Sequence, residues 1–223
     1  MLFKDRREAG RLLAAHMGQY KGAHEAIVLG LARGGLVVAF EVAQALVLPL
    51  NVVVPRKIGA PGNPELALGS IMENGEGVFN ESIIRMLGVS REYLAREIEK
   101  ERAVAHRRLM LYRRHVPLPP LKGATAILVD DGIATGSTML ASIDAMRRAG
   151  VHRVVAAVPV ASSEALKLIE EAADEVICLH SRRDFTGVGL YYALFTQTDD
   201  EEVVALLQEA HQLGEGKDHA FDL

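Results

Sequence analysis

The chain has little of several features that would place it in a special class of protein. Its 223 residues include one cysteine, Cys178, and no tryptophan. A single cysteine excludes an internal disulfide and is compatible with a reducing cytosol, so we expect a cytoplasmic protein. No apolar run approaches the ~20 residues of a membrane-spanning helix. Residues 1–7 become charged too early for a signal peptide, so we expect none.

The net charge of the chain is small, and its potential metal ligands are not clustered. The net charge of −4 gives no reason to expect nucleic acid or an anionic membrane as a partner. The eight histidines are scattered, and no His, Cys and Asp residues have the spacing of a metal site. We therefore predict no metal site built by the protein alone. Apolar residues make up 49% of the chain, which is enough for the core of one α/β domain.

Apolar runs alternate with helical patterns along the chain. Buried strands are predicted over residues 26–31, 50–55, 125–129, 153–160 and 175–179, and helices over residues 5–20, 36–46, 90–114, 139–149, 163–173 and 199–212. Strands separated by helices predict an α/β fold, with a mostly parallel sheet and helices on both of its faces. In such sheets ligands bind beyond the carboxyl ends of the strands.

One domain is expected over residues 1–213, followed by a polar tail at 214–223. Residues 58–120 separate two core strands and are expected to form an insertion. It would contain a flexible Gly/Pro loop at 58–65, a hairpin that turns at Asn74-Gly75, and the charged helix 90–114. That helix is most simply a solvated face with i,i+4 ion pairs, and a dimer contact or a nucleic-acid patch is the weaker alternative.

Residues 126–138 are the most informative stretch of the chain. The apolar run 126–129 ends in two adjacent carboxylates, Asp130 and Asp131, and a loop of small and hydroxyl residues then leads into a helix. Free amides at a helix N-terminus favour a phosphate dianion, and carboxylates accept hydrogen bonds from sugar hydroxyls. The pattern therefore predicts a ribose 5-phosphate site. The alternative is a strand-loop-helix whose acids only cap the helix or solvate the turn.

This stretch closely resembles the ribose-phosphate-binding motif of the type I phosphoribosyltransferases. The resemblance implies that fold, and an enzyme of nucleotide metabolism that transfers the 5-phosphoribosyl group of 5-phosphoribosyl 1-diphosphate (PRPP) to an acceptor and releases pyrophosphate. It also implies Mg²⁺, bound mainly through PRPP. Asp130 and Asp131 would hold the ribose hydroxyls as catalytic residues. The 5-phosphate would be bound by Ala134, Thr135, Gly136, Ser137 and Thr138.

Two further loops resemble the pyrophosphate sites of this family. Residues 32–35 follow the first strand, where the family has a pyrophosphate loop that often contains a non-proline cis peptide. Ala32, Arg33 and Gly34 are the candidates there, with Arg33 also catalytic, and the alternative is a plain tight turn. Arg56 and Lys57 follow the second strand and resemble a cationic pair that approaches the pyrophosphate. The alternative for this pair is two solvated charges.

The acceptor is less well defined by the sequence. The loop at 180–189 follows the last strand, where the family often binds the acceptor base, and Phe185 is the candidate for stacking on it. Packing of Phe185 under its own loop is the equal alternative. Ala134 stands where enzymes for hypoxanthine and guanine carry an acid, which argues against a 6-oxopurine. We expect the ligands to be PRPP and a small acceptor, for which a nucleobase is the first candidate. A homodimer is a further possibility that the sequence leaves open.

A different class of function is also compatible with the motifs. Some proteins of this fold bind PRPP or a nucleotide as regulators without turnover, and these usually carry a DNA-binding element or a damaged pyrophosphate loop. No helix-turn-helix pattern is evident, and residues 33–35 look intact. The enzyme is therefore the favoured prediction, and the regulator is the alternative.

Overall fold

The computed structural model describes residues 2–114 and 116–218. The strands are β1 (Ala26–Leu31), β2 (Leu50–Val53), β3 (Arg56–Ala60), β4 (Asn63–Ile71), β5 (Gly77–Phe79), β6 (Thr125–Val129), β7 (Arg153–Ser162) and β8 (Glu175–Arg182). The helices are α1 (Arg6–Ala14), α2 (Gly34–Leu46), α3 (Glu81–Met86), α4 (Arg91–Tyr112), α5 (Ser137–Arg148), α6 (Ser163–Ala172) and α7 (Asp200–Asp218). No helix in these two ranges is both long enough and apolar enough to cross a membrane.

The main sheet has five strands in the order β2-β1-β6-β7-β8, and all four neighbouring pairs are parallel. This confirms the predicted parallel α/β fold. The chain leaves β1 toward one edge of the sheet and leaves β6 toward the other. The carboxyl ends of β1 and β6 therefore meet at a topological switch point, where Gly30 pairs with Val129.

Helices cover both faces of this sheet, as predicted. Helices α2 and α7 pack on one face with the end of α4, which contributes the buried Tyr112. Helices α5 and α6 pack on the other face, where Met139, Ile143 and Ile169 are buried against β6 and β7. The strands of such a sheet are apolar along their whole length because both faces are covered. This explains why β1 and β6 were readable from the sequence.

The segment between β2 and β6 forms a second layer. Strands β3, β4 and β5 make an antiparallel sheet, and α3 and α4 close a small core around Ile58, Leu68, Ile71 and Ile84. The turn at Asn74-Gly75 is confirmed, with Gly75 at φ 84°. Helix α3 was not predicted.

The Gly/Pro loop expected at residues 58–65 is mostly strand. Strand β3 runs to Ala60 and β4 begins at Asn63, so the turn is reduced to Pro61 and Gly62. The expectation failed because Gly59 lets β3 and β4 approach each other closely. A Cβ there would lie 2.8 Å from the backbone of Pro64. The polar tail expected from residue 214 is helical to Asp218, and residues 219–223 lie outside the described part of the chain.

Candidate active site

The two adjacent acids lie directly after β6, at the switch point. Asp131 Oδ2 accepts a hydrogen bond from Arg6 Nε at 2.7 Å, and Asp130 Oδ1 accepts one from the Asp131 N–H at 2.9 Å. The Tyr192 hydroxyl donates to the carbonyl oxygen of Asp131 at 2.6 Å. The side chain of Asp131 is 14% exposed. The pair is therefore held in a fixed, largely dry position.

Burial controls the ionisation of this pair. It raises the pKa of Asp130 well above its ordinary value, and the nearby charge of Asp131 raises it further. Burial also raises the pKa of Asp131, while the guanidinium of Arg6 acts in the opposite direction. Two close carboxylates disfavour double ionisation, so a cation beside one of them decides how much negative charge the site carries.

The loop after β1 packs against the acids. The Ala32–Arg33 peptide is cis. A Cβ on Gly34 would overlap Asp131 Oδ2, and one on Gly35 would lie 2.7 Å from Asp130 Oδ1. Glycine at both positions lets two loops from neighbouring strands touch. The predicted pyrophosphate loop and the predicted ribose-binding acids therefore form one site.

The predicted phosphate loop follows the acids along the chain. Helix α5 begins at Ser137, and Gly136 precedes it at φ 82°. Among the residues that the structure describes, none accepts a hydrogen bond from the backbone N–H groups of residues 134–138. The Ser162 hydroxyl donates to the carbonyl oxygen of Ala134 at 2.7 Å and so holds the loop from β7. These amides stand at the N-terminus of α5, where the helix dipole is positive.

The predicted cations face carboxylates on helices. Arg33 Nη1 lies 3.7 Å from Asp200 Oδ1, an oxygen that also accepts a hydrogen bond from the Tyr112 hydroxyl at 2.5 Å. Arg56 Nη2 lies 2.7 Å from Glu101 Oε2. Neither arginine forms an ion pair with Asp130 or Asp131 in the described ranges. Lys57 lies beside Arg56 in β3, opposite Ser70.

Phe185 stacks on Tyr191, with ring centroids 5.3 Å apart and an angle of 16° between the planes. It is partly exposed. Tyr191 lines a shallow polar depression beside β8, together with His180 and Arg182. One face of Phe185 is therefore occupied by another ring, and its role at the acceptor stays a prediction.

Sequence reasoning missed Arg6, which contacts the acids from α1. Arg6 Nη1 also donates to the carbonyl oxygen of Thr196 at 2.7 Å, and its guanidinium lies 3.9 Å from the ring centroid of Phe195. One signal was present. Arg6 shares the buried stripe of α1 with Ala9 and Leu13, and a charged residue on such a stripe requires a buried partner.

The described side chains alone would not hold a metal ion, so a bound ion would need ligands from a substrate. Within residues 2–114 and 116–218, no three His, Cys, Asp or Glu side chains are grouped as metal ligands. Of the four carboxylate oxygens of the acid pair, Asp131 Oδ2 is already bonded to Arg6. Mg²⁺ usually keeps several waters and binds with substrate phosphates. The arrangement fits an ion that enters with a diphosphate and is held by the oxygens of that ligand.

Known proteins match this chain over most of its length. The phosphoribosyl transferase domain model covers residues 4–193. A relative in two Mycobacterium tuberculosis strains, named provisionally as a phosphoribosyl transferase, is 44% identical over 211 residues; the match covers 95% of this chain and 47% of the relative. The chain thus spans about half the length of the curated relatives it matches. The crystal structure of TT1426 from Thermus thermophilus is 46% identical, with a TM-score of 0.78, covering 94% of this chain and 99% of that one. The chain belongs to the phosphoribosyl transferase family, as the motif at residues 126–138 predicted.

Proposed function

We propose that this chain transfers the 5-phosphoribosyl group of PRPP to a ring nitrogen of a small acceptor, with release of pyrophosphate. The observation that carries the proposal is the meeting of three elements at one switch point. The acid pair follows β6, the Gly34-Gly35 loop packs against the acids, and the free amides of residues 134–138 open α5. PRPP has a diol, a diphosphate and a 5-phosphate to match these three elements.

The 5-phosphate would bind at the start of α5. The amides of Ala134, Thr135, Gly136, Ser137 and Thr138 would donate to its oxygens. The hydroxyls of Thr135 and Ser137, whose oxygens lie 3.2 Å apart, are close enough to share one phosphate. The positive end of the helix dipole adds to the attraction for a dianion. The Ser162 bond to Ala134 would keep the loop in shape when the ligand is absent.

The acids would act on the ribose. Asp130 and Asp131 would accept hydrogen bonds from its 2- and 3-hydroxyls. The bond between C1 and the pyrophosphate oxygen breaks as the acceptor nitrogen attacks, and positive charge develops on the sugar ring. Carboxylates fixed beside the ring stabilise that charge more than they stabilise the neutral ground state.

The leaving group would be held by the loop after β1 and by the start of β3. Gly34 would offer its backbone amide to the pyrophosphate. Ala32 would position this loop, because its own N–H donates to the Val53 carbonyl oxygen at 3.0 Å. Arg33, Arg56 and Lys57 would neutralise the charge of the pyrophosphate. Arg33 and Arg56 now face Asp200 and Glu101. Each arginine would exchange a carboxylate for a pyrophosphate oxygen on binding. Mg²⁺, when bound with PRPP, supplies further neutralisation of the departing diphosphate.

The acceptor site would lie beside β8, with Phe185 as one wall. The stacked pair of Phe185 and Tyr191 presents a flat apolar surface that suits a heterocycle. Ala134, in place of an acid, favours an acceptor other than a 6-oxopurine. The cytoplasmic location and a homodimer stay predictions from the sequence.

A screen of acceptors tests the proposal. Purified protein is mixed with PRPP and Mg²⁺ and a panel of purine and pyrimidine bases, with water alone as one arm, and pyrophosphate release is followed. We expect release with at least one base, and its loss in Asp130→Asn/Asp131→Asn protein that remains folded. Tight PRPP binding by the wild type with no release in any arm would overturn the enzyme and leave a PRPP-binding regulator.

A further inference from the structure

Among the described residues, Arg6 is the cation bonded to the acid pair, and it comes from α1, far along the chain from the motif at residues 126–138. Its Nε atom bonds to Asp131 Oδ2 at 2.7 Å, across 125 positions of sequence. We propose that Arg6 is a positioning residue, which fixes the carboxylate of Asp131 and supplies the positive charge that the buried acid pair needs. This inference rests on the proposed role of Asp131 in binding the ribose.

The guanidinium of Arg6 is itself held on three sides. Nε bonds to Asp131, Nη1 bonds to the carbonyl oxygen of Thr196 at 2.7 Å, and the ring of Phe195 lies 3.9 Å from the guanidinium carbon. The side chain is 10% exposed. A planar guanidinium fixed in this way orients its partner more strictly than a mobile lysine would. Arg6 therefore determines both where Asp131 lies and how it is turned.

The charges around Asp131 give Arg6 a second effect. The titratable groups that face Asp131 are Arg6 from α1, Asp130 from the same loop, and the Tyr192 hydroxyl from the chain after β8. Arg6 is the single cation among them in the described ranges. Burial raises the pKa of both acids, and at Asp131 the charge and the hydrogen bond of Arg6 are the largest effects that lower it again. Without Arg6 the pair would hold a proton more readily and accept fewer hydrogen bonds from a diol.

The same helix provides a matched control. Arg7 and Arg11 lie beside Arg6 in α1, but both pair with the buried Glu41 of α2, at 2.9 and 3.2 Å. Arg7→Met removes one arginine and one charge from α1 and leaves Glu41 paired with Arg11. This variant should therefore reproduce any effect that the loss of an arginine has on the stability of α1, while the contacts of the acid pair stay unchanged.

Titration of the ligand-free protein tests the proposal directly. Aspartate carboxyl carbons are labelled with ¹³C, and Asp131 is assigned by its loss in Asp131→Asn. We expect Arg6→Met to raise the pKa of Asp131 by roughly one unit or more, Arg6→Lys to restore most of the wild-type value, and Arg7→Met to match the wild type. Where Arg6→Met does not fold, Arg6→Gln removes the charge and keeps a donor for Thr196. An unchanged Asp131 titration in the folded variant would overturn the proposal.

Calorimetry with PRPP and Mg²⁺ provides the functional readout. The acidic limb of the pH profile of PRPP affinity should move to higher pH in Arg6→Met and stay in place in Arg7→Met. Adding Arg6→Met to Asp131→Asn should weaken PRPP binding no further. If Arg6→Met weakens PRPP binding as much in Asp131→Asn as it does in the wild type, Arg6 does not act through Asp131 and the inference is overturned. If the wild type binds no PRPP, the proposed function fails, and the carboxyl titration still decides whether Arg6 sets the charge of Asp131.

Discussion

Gly34 lies against the carboxylate of Asp131. A Cβ built on Gly34 would overlap Asp131 Oδ2 and lie 2.8 Å from Arg6 Nε. This contact joins the loop after β1 to the loop after β6 without space for a side chain between them. In the proposed function, the loops after two adjacent strands would therefore bind the diphosphate and the ribose of one PRPP molecule. A side chain added at Gly34 or Gly35 should disturb the contact between these loops.

Gly35→Ala should destabilise the protein. Its Cβ would lie 2.9 Å from the Asp130 Cα and the Val129 carbonyl oxygen, which are backbone atoms that cannot turn away. We expect a loss of about 1–3 kcal/mol in the free energy of unfolding, measured by urea denaturation. Gly18→Ala is the control, because a Cβ there meets no atom within 4 Å. Equal stability of the two variants would contradict the tight contact between the loops.

Asp130→Asn should make the protein more stable at neutral and alkaline pH. The folded pKa of Asp130 is raised, so the folded state keeps a proton that the unfolded chain has released, and stability falls as pH rises through that window. Asparagine removes this penalty and keeps the bond to the Asp131 N–H. We expect a gain on the order of 1 kcal/mol at pH 8 that disappears near the unfolded pKa, about 3.9. A lower melting temperature for Asp130→Asn at pH 8 would refute this.

Arg33→Ala should affect turnover more than ground-state binding. Its proposed partner is the leaving pyrophosphate, on which negative charge grows as the C1 bond breaks. We expect kcat to fall by roughly tenfold or more, with little change in the affinity for ribose 5-phosphate, which has no diphosphate. The kcat of Arg33→Lys should lie between those of the wild type and Arg33→Ala, because lysine keeps the charge but not the planar group. Full activity in Arg33→Ala would remove the pyrophosphate role of this loop.

The hairpin tip at residues 58–65 should order further when PRPP and Mg²⁺ bind. Pairing of β3 with β4 is irregular on both sides of Gly59, and residues 61–64 are exposed. We expect amide hydrogen exchange here to be faster than in β6 without ligand. It should slow with PRPP if this tip closes over the ligand and excludes water from the positive charge that develops on the ribose. Slow exchange that does not respond to the ligand would contradict a closing role.

The sequence predicted what is local in the chain. The acids, the predicted phosphate loop and the start of α5 are consecutive, so their order and spacing were readable at once, and the apolar runs of β1 and β6 predicted the sheet around them. The partners of these residues were not readable. Arg6 meets Asp131 across 125 positions, and Asp200 reaches Arg33 from the last helix. Such contacts depend on how helices pack, which no local pattern specifies.

Binding of PRPP to wild-type and Asp130→Asn/Asp131→Asn protein tests the central claim most directly. Isothermal titration calorimetry with Mg²⁺ present compares the two proteins after circular dichroism has shown that both are folded. The account predicts that the wild type binds PRPP and that the double variant binds it at least about tenfold more weakly, a change of about 1.4 kcal/mol, because the negative charge of the acid pair no longer strengthens the bonds to the ribose. Equal affinity in the folded double variant would contradict the assignment of these acids to the ribose.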